Sequence, residues 1–210
     1  LALIRARRDL PRALECAREA YRINGPEFGE SSDRSIQNLL VMAQAHEVMN
    51  QPREMLDTLK AASDLFERGK LTPSQAIGNL YGMLGKMLRA AGRPDEARAC
   101  ASRALGIYEL VGPGSAAEAE IWMTLGLLDV DQGELEDATL AFAAARDRLR
   151  NKGPAFANLL AQSLTALARA DVQRGRMEAA RDGAAEALEI RRGIVNIEPR
   201  LIASTQSILG

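Results

Sequence analysis

The sequence predicts an all-α fold, a solenoid of antiparallel helix pairs, on the basis of three observations. First, turn-forming residues recur at intervals of 42, 41 and 42 residues, at Asn50, Gly92, Gly133 and Gly175. Second, each of them separates two segments with the apolar spacing of helices, and no strand-like alternation competes with that spacing. Third, aromatic residues make up only 4% of the chain while alanine is abundant, which suits closely packed helices. Such an interval is typical of repeat proteins, whose units pack on their neighbours.

Local signals place the helix ends around these turns. Pro52 and Pro94 each follow a turn residue by two positions, where proline fits the first turn of a helix. Ser115 with Glu118 has the capping-box pattern, and residues 72–75 have a second one, so each should open a helix. We therefore expect helices over residues 10–23, 32–49, 52–69, 73–91, 94–111, 115–132, 135–151, 155–174, 177–194 and 199–209.

One solenoid domain is expected over residues 1–210. Glycine and proline at 112–114 and 153–154 mark links between repeats. Stepping back by 42 residues from the first turn reaches Arg8, and the last residue, Gly210, falls just before a further turn position. We therefore expect a fragment with incomplete repeats at both ends. The expected repeats are 1–28 (partial), 29–70, 71–112, 113–153, 154–196 and 197–210 (partial).

Packing positions recur at fixed distances from the turn. A small residue stands seven positions before it, and alanine stands five positions after it in three of the four repeats. Small residues in facing positions let two antiparallel helices approach closely. The small residues before the turn are Ala43, Gly85, Gly126 and Ala168. A large residue stands eleven positions before the turn, at Leu39, Tyr81, Trp122 and Leu164.

The pattern Trp122-x-x-Leu125-Gly126, continued by Gly133, Ala138, Phe142 and Ala145, resembles the tetratricopeptide repeat. The interval of about 42 residues exceeds the usual 34 and is similar to the kinesin-light-chain type of repeat. The resemblance implies a right-handed superhelix that acts as a protein–protein interaction scaffold, a regulatory module of a larger, bacterial protein, with no cofactor. Several positions depart from the family pattern, including Asn50 in place of the turn glycine and Met55 in place of the alanine that follows it. His46, Asp129 and Asp171 stand where the family usually has tyrosine.

The resemblance places ligand binding on the first helix of each repeat, the helix that precedes the turn residue. Its amides and hydroxyls would bond to the backbone of an extended peptide, and its cations would pair with acidic groups of that peptide. The alternative interpretation is that these are ordinary solvated helix faces. The expected groove residues are Gln37, Gln44, Asn79, Lys86, Arg89, Glu120, Met123, Gln162, Thr165, Arg169 and Gln173.

Composition argues against several other classes of partner. A net charge of -1 gives no clustered positive field for nucleic acid. No apolar run approaches the ~18 residues that a membrane-spanning helix needs. Cys16 and Cys100 are interpreted as buried free thiols in the reducing cytoplasm.

No residue pattern points to catalysis or to a metal site. His46 has no nucleophile or metal ligand in a recognisable motif, so we expect it to pack in place of an aromatic residue. Asp129 and Asp171 could share a hard cation only if more oxygen ligands converged. Pairing with an arginine on a neighbouring helix, such as Arg169 or Arg174, is the preferred interpretation. An enzyme is therefore the least supported class.

Self-association without a peptide ligand remains an alternative. Apolar residues on the final helix are expected to be exposed, and such patches often bind a partner. A homodimer through exposed terminal helices would result. The residues concerned are Leu201, Ile202, Ile208 and Leu209.

Overall fold

The computed structural model describes residues 10–28, 32–69, 72–112, 115–194 and 198–209. Arg8 and Gly210 lie outside the described residues, as do two members of the predicted 112–114 link. The chain divides into two compact units, residues 1–112 and 113–210, which are described in turn. All regular structure among the described residues is helical, so the predicted all-α class is confirmed.

The described residues of the first unit form five helices. Each helix contacts the next along the chain, and α2 also contacts α4. The pair α4–α5 is antiparallel, because Gly85 faces Ala97 near the turn while Gly78 faces Tyr108 at the far end. The helices are α1 (Leu10–Phe28), α2 (Asp33–Val48), α3 (Pro52–Gly69), α4 (Gln75–Ala90) and α5 (Pro94–Val111).

The second unit repeats this arrangement. Consecutive helices again contact one another, and α8 also contacts α10. A short 3-10 turn at Pro154–Phe156 precedes α8. The helices are α6 (Ala116–Gln132), α7 (Leu135–Leu149), α8 (Ala157–Gln173), α9 (Met177–Arg192) and α10 (Pro199–Leu209).

The predicted helix ends agree with the structure to within about two residues at most positions. The largest difference is α1, which was expected to end at residue 23 before Gly25 and Pro26 and instead continues to Phe28. Proline removes one N–H donor from a helix. Here the helix continues through it.

The four turn residues share one backbone conformation. Their φ angles are 56° at Asn50, 71° at Gly92, 83° at Gly133 and 74° at Gly175, in the left-handed region that glycine and asparagine tolerate. In every case the next residue donates its N–H to the carbonyl four positions before the turn, as in a Schellman motif. These donor–acceptor pairs are Gln51–His46, Arg93–Leu88, Glu134–Asp129 and Arg176–Asp171, at 2.8–2.9 Å.

One of the two predicted capping boxes forms. The Ser115 hydroxyl accepts from the Glu118 N–H at 3.2 Å, and the Glu118 carboxylate accepts from the Ser115 N–H at 2.8 Å. The box predicted over residues 72–75 is wrong. Helix α4 begins at Gln75 with Ser74 as its N-cap, and the Ser74 side chain makes no capping hydrogen bond.

Small residues hold each helix pair together. A Cβ atom added to Gly126 would lie 2.6 Å from the Phe142 ring, and one added to Gly85 would lie 3.1 Å from the Ala97 carbonyl oxygen. Alanines five and twelve positions after the turn, such as Ala138 and Ala145, are completely buried. The predicted close approach of first and second helices is therefore confirmed in both units.

Candidate protein-binding faces

The first helices carry the polar residues that are not used in these contacts. We call the accessible side of α2 and α4 the first-helix face of unit one, and that of α6, α8 and α10 the first-helix face of unit two. In unit one, Gln37, Asn79 and Lys86 are exposed, while Gln44 and Arg89 are half-buried. The expected residues of this unit are therefore all at least partly accessible.

Two contacts organise the face of unit one. The Lys86 ammonium lies 2.7 Å from the Glu47 carboxylate and so links α4 to α2. The Asn79 side-chain oxygen accepts a hydrogen bond from the Tyr108 hydroxyl at 2.5 Å. These contacts orient Lys86 and Asn79 before any ligand binds, since both polar groups are already held by protein partners.

In unit two, Glu120, Arg169 and Gln173 are exposed, while Met123 and Gln162 are half-buried. The Arg169 guanidinium donates to the Ser204 carbonyl on α10 at 3.4 Å. These residues belong to two neighbouring first helices, α6 and α8. The face therefore offers a carboxylate, a guanidinium and amides to solvent.

Thr165 does not belong to the accessible face, contrary to expectation. It is only 5% exposed. Its hydroxyl donates to the Ala161 carbonyl at 2.7 Å and lies 3.5 Å from the Thr205 hydroxyl. Helix α10 covers this part of α8, so Thr165 offers no open hydrogen-bonding group.

His46 is buried, as predicted. The residue is 4% exposed, and its Nδ1 lies 2.7 Å from the Gln51 side-chain oxygen across the first turn. The described residues include no group of three or more His, Cys, Asp or Glu side chains placed to hold a metal ion.

The expected arginine partners of Asp171 were wrong. Its carboxylate pairs with Arg176 at 2.5 Å, not with Arg169 or Arg174. The turn explains this choice, because the Schellman hydrogen bond already joins the backbones of Asp171 and Arg176. Arg174 instead contacts α7, with its guanidinium 3.5 Å from Glu136 and 2.6 Å from the Thr139 hydroxyl.

The cysteines also differ from the prediction. Cys16 is exposed and Cys100 is half-buried, and both are free thiols. Burial, followed by the charge of Glu96, raises the pKa of the Cys100 thiol.

Each unit contains an aromatic–arginine–carboxylate cluster that sequence reasoning missed. In unit one, Tyr81 donates to Glu67 at 2.6 Å, and Arg103 lies 2.5 Å from the same carboxylate and 4.5 Å from the Tyr81 ring centre. The Tyr81 hydrogen bond lowers the pKa of Glu67. In unit two, Arg148 contacts both the Glu118 carboxylate at 3.0 Å and the Trp122 ring at 5.2 Å. The sequence offered one signal for these clusters. Tyr81 and Trp122 each stand eleven positions before a turn residue, Gly92 or Gly133.

Arg191 is a second feature that the sequence did not reveal. Its side chain is 2% exposed and donates to the Leu201 carbonyl at 2.6 Å and to the Thr205 hydroxyl. Burial, and then the charge of Arg169, lower the pKa of Arg191. The guanidinium joins α9 to α10. A basic residue in the last turn of a helix is ordinarily expected in solvent, where it interacts with the helix dipole.

The final helix buries more apolar surface than expected. Leu201, Ile202, Ile208 and Leu209 are half-buried. The last two pack against the buried alanine cluster between α8 and α9. None of the described helices combines the length and apolar character needed to cross a membrane.

Comparison with solved structures supports the same fold. The structure is similar to BtubC (BKLC) from P. vanneervenii, with a TM-score of 0.76 and 18% identity over 95% of this chain and 81% of that one. It is also similar to a putative kinesin light chain with nearly identical TPR-like repeats from Podosopora anserina, with a TM-score of 0.68 and 14% identity over 90% of each chain. YrrB, described as a TPR protein with an unusual peptide-binding site, gives a TM-score of 0.59 and 18% identity over 98% of this chain and 88% of that one.

A search of curated proteins found no match to the sequence. Sequence profiles of the tetratricopeptide repeat match residues 76–151 and 160–199. These two ranges include the turns at Gly92, Gly133 and Gly175 and together cover more than half of the chain. The chain therefore belongs to the tetratricopeptide repeat family.

Proposed function

We propose that the chain is a non-enzymatic interaction module that binds a peptide segment or a partner protein on its first-helix faces. One observation carries this proposal. The first helices leave polar groups open to solvent, including Gln37, Glu120 and Gln173, beside the contacts that hold the helix pairs together. Amides and carboxylates spaced along neighbouring helices suit the alternating donors and acceptors of an extended backbone.

The binding faces are preorganised, which lowers the cost of association. Helix pairs are held by buried alanines and by glycines in close contact, such as Gly126 against Phe142. An exposed ion pair between Arg150 and Glu186, at 2.9 Å, links α7 to α9 across the repeats of unit two. A ligand therefore meets side chains whose supporting helices are already packed.

Protein or peptide is the proposed class of partner. The family is composed of interaction scaffolds in general, and the described peptide-binding site of YrrB supports this class by analogy of fold. Net charge of -1 gives no electrostatic support for nucleic acid. Two free thiols fit a reducing compartment, which supports a location in the cytoplasm. The role proposed there is that of a regulatory module.

Homodimerisation has less support. It was expected to use exposed apolar residues of α10, and these residues are half-buried. Ile208 and Leu209 pack within their own unit. Multi-angle light scattering over a hundredfold range of concentration measures any self-association. A single monomer mass throughout is expected.

A matched pair of charge reversals tests the proposed faces. Peptides are first selected from a random library on the 210-residue chain, and their dissociation constants are measured by fluorescence anisotropy. Glu120→Lys, on the first-helix face, should change the affinity of peptides bound at unit two. Asp147→Lys, an equal charge change on the second helix α7, should not. Equal effects of both variants, or no effect of either, would contradict the proposal.

A further inference from the structure

A cavity of about 440 Å³ opens within unit two between α8, α9 and α10. Its apolar wall is formed by Val172, Met177, Ala180, Ile208 and Leu209. Met177 is 54% exposed and Val172 is 36% exposed. The cavity therefore has space and apolar surface for a side chain from another molecule.

Two arginines stand beside this apolar wall. Arg169 on α8 and Arg181 on α9 both line the cavity. Neither guanidinium has a carboxylate within 4 Å in the part of the chain that the structure describes. Their neighbours differ in this respect, since Arg174 pairs with Glu136 and Arg176 pairs with Asp171.

Both charged side chains that line the cavity are therefore positive. Arg169 also lies near enough to the buried Arg191 to lower its pKa, after the larger effect of burial. An incoming carboxylate would relieve the repulsion between these cations and form charge-assisted hydrogen bonds with Arg169 or Arg181. An incoming cation would increase the repulsion.

Two uncharged polar groups complete the lining. Gln173 offers an amide and Ser207 offers a hydroxyl group, and both residues are exposed. The Ser207 hydroxyl donates to the Ser204 carbonyl at 3.0 Å and can still accept a hydrogen bond. Such groups can bond to the backbone of a bound segment. The cavity thus combines an apolar wall, cationic groups and backbone-binding groups in one place.

We propose that this cavity binds a segment of a partner protein in which an apolar side chain stands beside a carboxylate. The apolar side chain packs on the exposed part of the apolar wall, against Val172 and Met177. The carboxylate pairs with Arg169 and Arg181. This inference rests on the proposed function and names the class of ligand, an acidic and apolar peptide, that unit two selects.

The test uses the intact 210-residue chain and four acetylated peptides. The first is Ser-Gly-Leu-Asp-Gly-Ser, and the others replace Asp by Asn, Asp by Lys, or Leu by Ser. Binding is followed by NMR of methyl groups in protein labelled at methionine. The Met177 methyl signal should move during titration, whereas the signal of Met55, which is 2% exposed in unit one, should not.

The Leu-Asp peptide should bind about tenfold more tightly than the Leu-Asn peptide, which corresponds to about 1.4 kcal/mol. In the double variant R169Q/R181Q this preference should fall to about one, while the affinity for Leu-Asn stays the same. Arg192→Gln is a control that removes one positive charge from the same helix as Arg181. It lies on α9 about 16 Å along the helix from Arg181 and should retain the full preference.

Several results would overturn the proposal. A preference that survives in R169Q/R181Q would exclude the arginines as the carboxylate site. Movement of the Met177 methyl signal with protein concentration alone, together with a dimer mass by light scattering, would identify a second copy as the occupant. If library peptides bind the first-helix faces but the Leu-Asp peptide leaves Met177 unmoved, the cavity proposal falls and the proposed function stands.

Discussion

The ring of Phe142 fills the space that a side chain on Gly126 would need. A Cβ atom on Gly126 would lie 2.6 Å from the nearest ring atom, well inside contact distance. Phe142 is itself buried among its neighbours, with an exposure of 2%. This contact sets how closely α6 approaches α7. It therefore positions the first helix that carries Glu120 and Met123.

Gly126→Ala should destabilise the protein by about 1–3 kcal/mol, because the methyl group overpacks the contact with Phe142. Gly106→Ala is a matched control, since it also lies inside a helix but has nothing within 4 Å of an added Cβ. It should stabilise the protein by about 0.5–1 kcal/mol through helix propensity. Urea denaturation measures both. A stabilised Gly126→Ala would contradict the packing account.

The turn residues make a second prediction. Gly133→Ala should cost about 1–2 kcal/mol, because its φ of 83° is unfavourable for a residue with a Cβ atom. Asn50→Gly should be neutral or slightly stabilising, since asparagine already tolerates the same conformation at some cost. Denaturation midpoints of the two variants distinguish backbone conformation from loss of contacts. Equal destabilisation of both variants would contradict the explanation by backbone conformation.

The two serine N-caps should respond differently to alanine. Ser115→Ala should lose about 1 kcal/mol, because its hydroxyl accepts the Glu118 N–H in a complete capping box. Ser74→Ala should be neutral or slightly stabilising, since the Ser74 side chain makes no capping hydrogen bond and its hydroxyl is buried. Thermal unfolding of both variants checks this difference. An equal loss at Ser74 would show that capping is not the cause.

Tyr81 should make stability fall at high pH. Burial, and then the hydrogen bond to Glu67, raise its pKa above the ordinary value of about 10. Because the folded state favours the neutral Tyr81 hydroxyl, the stabilisation from this group is complete below about pH 10. It is lost as pH rises toward the folded-state pKa. The free energy of unfolding should therefore decline between about pH 10 and 11.5 in the native protein.

Tyr81→Phe provides the control for this pH dependence. It removes the titrating hydroxyl, so the additional decline above pH 10 should disappear. The variant should also raise the pKa of Glu67, since the Tyr81 hydrogen bond is the largest cause lowering that pKa. Carboxyl carbon NMR of Glu67 measures this shift. An unchanged Glu67 titration would show that the hydrogen bond does not form in solution.

Features controlled by neighbouring residues could be predicted from the sequence. The left-handed conformation at Gly92 and Gly133 depends on one residue without a side chain, so their spacing revealed the helix boundaries. The buried positions of Ala97 and Ala138 followed from the same register. These are properties of the local backbone and of a repeated contact between adjacent helices.

The partners of polar side chains, and the burial of a side chain by a neighbouring helix, were harder to predict. Asp171 pairs with Arg176 rather than Arg174. The Arg174 side chain instead turns toward Glu136 on α7. Thr165 is buried because α10 packs over it, although the same position in another repeat, Met123, is partly open. A shared repeat position fixes the direction of a side chain but not what lies across from it.

The central claim is that the first-helix faces bind the partner. Backbone amide NMR with a library-selected peptide tests it most directly, since every described helix reports separately. The account predicts that the largest shift changes fall on accessible first-helix residues such as Gln37, Lys86, Glu120 or Gln173. Shift changes confined to the outer surfaces of the second helices α3, α5, α7 and α9 would contradict it.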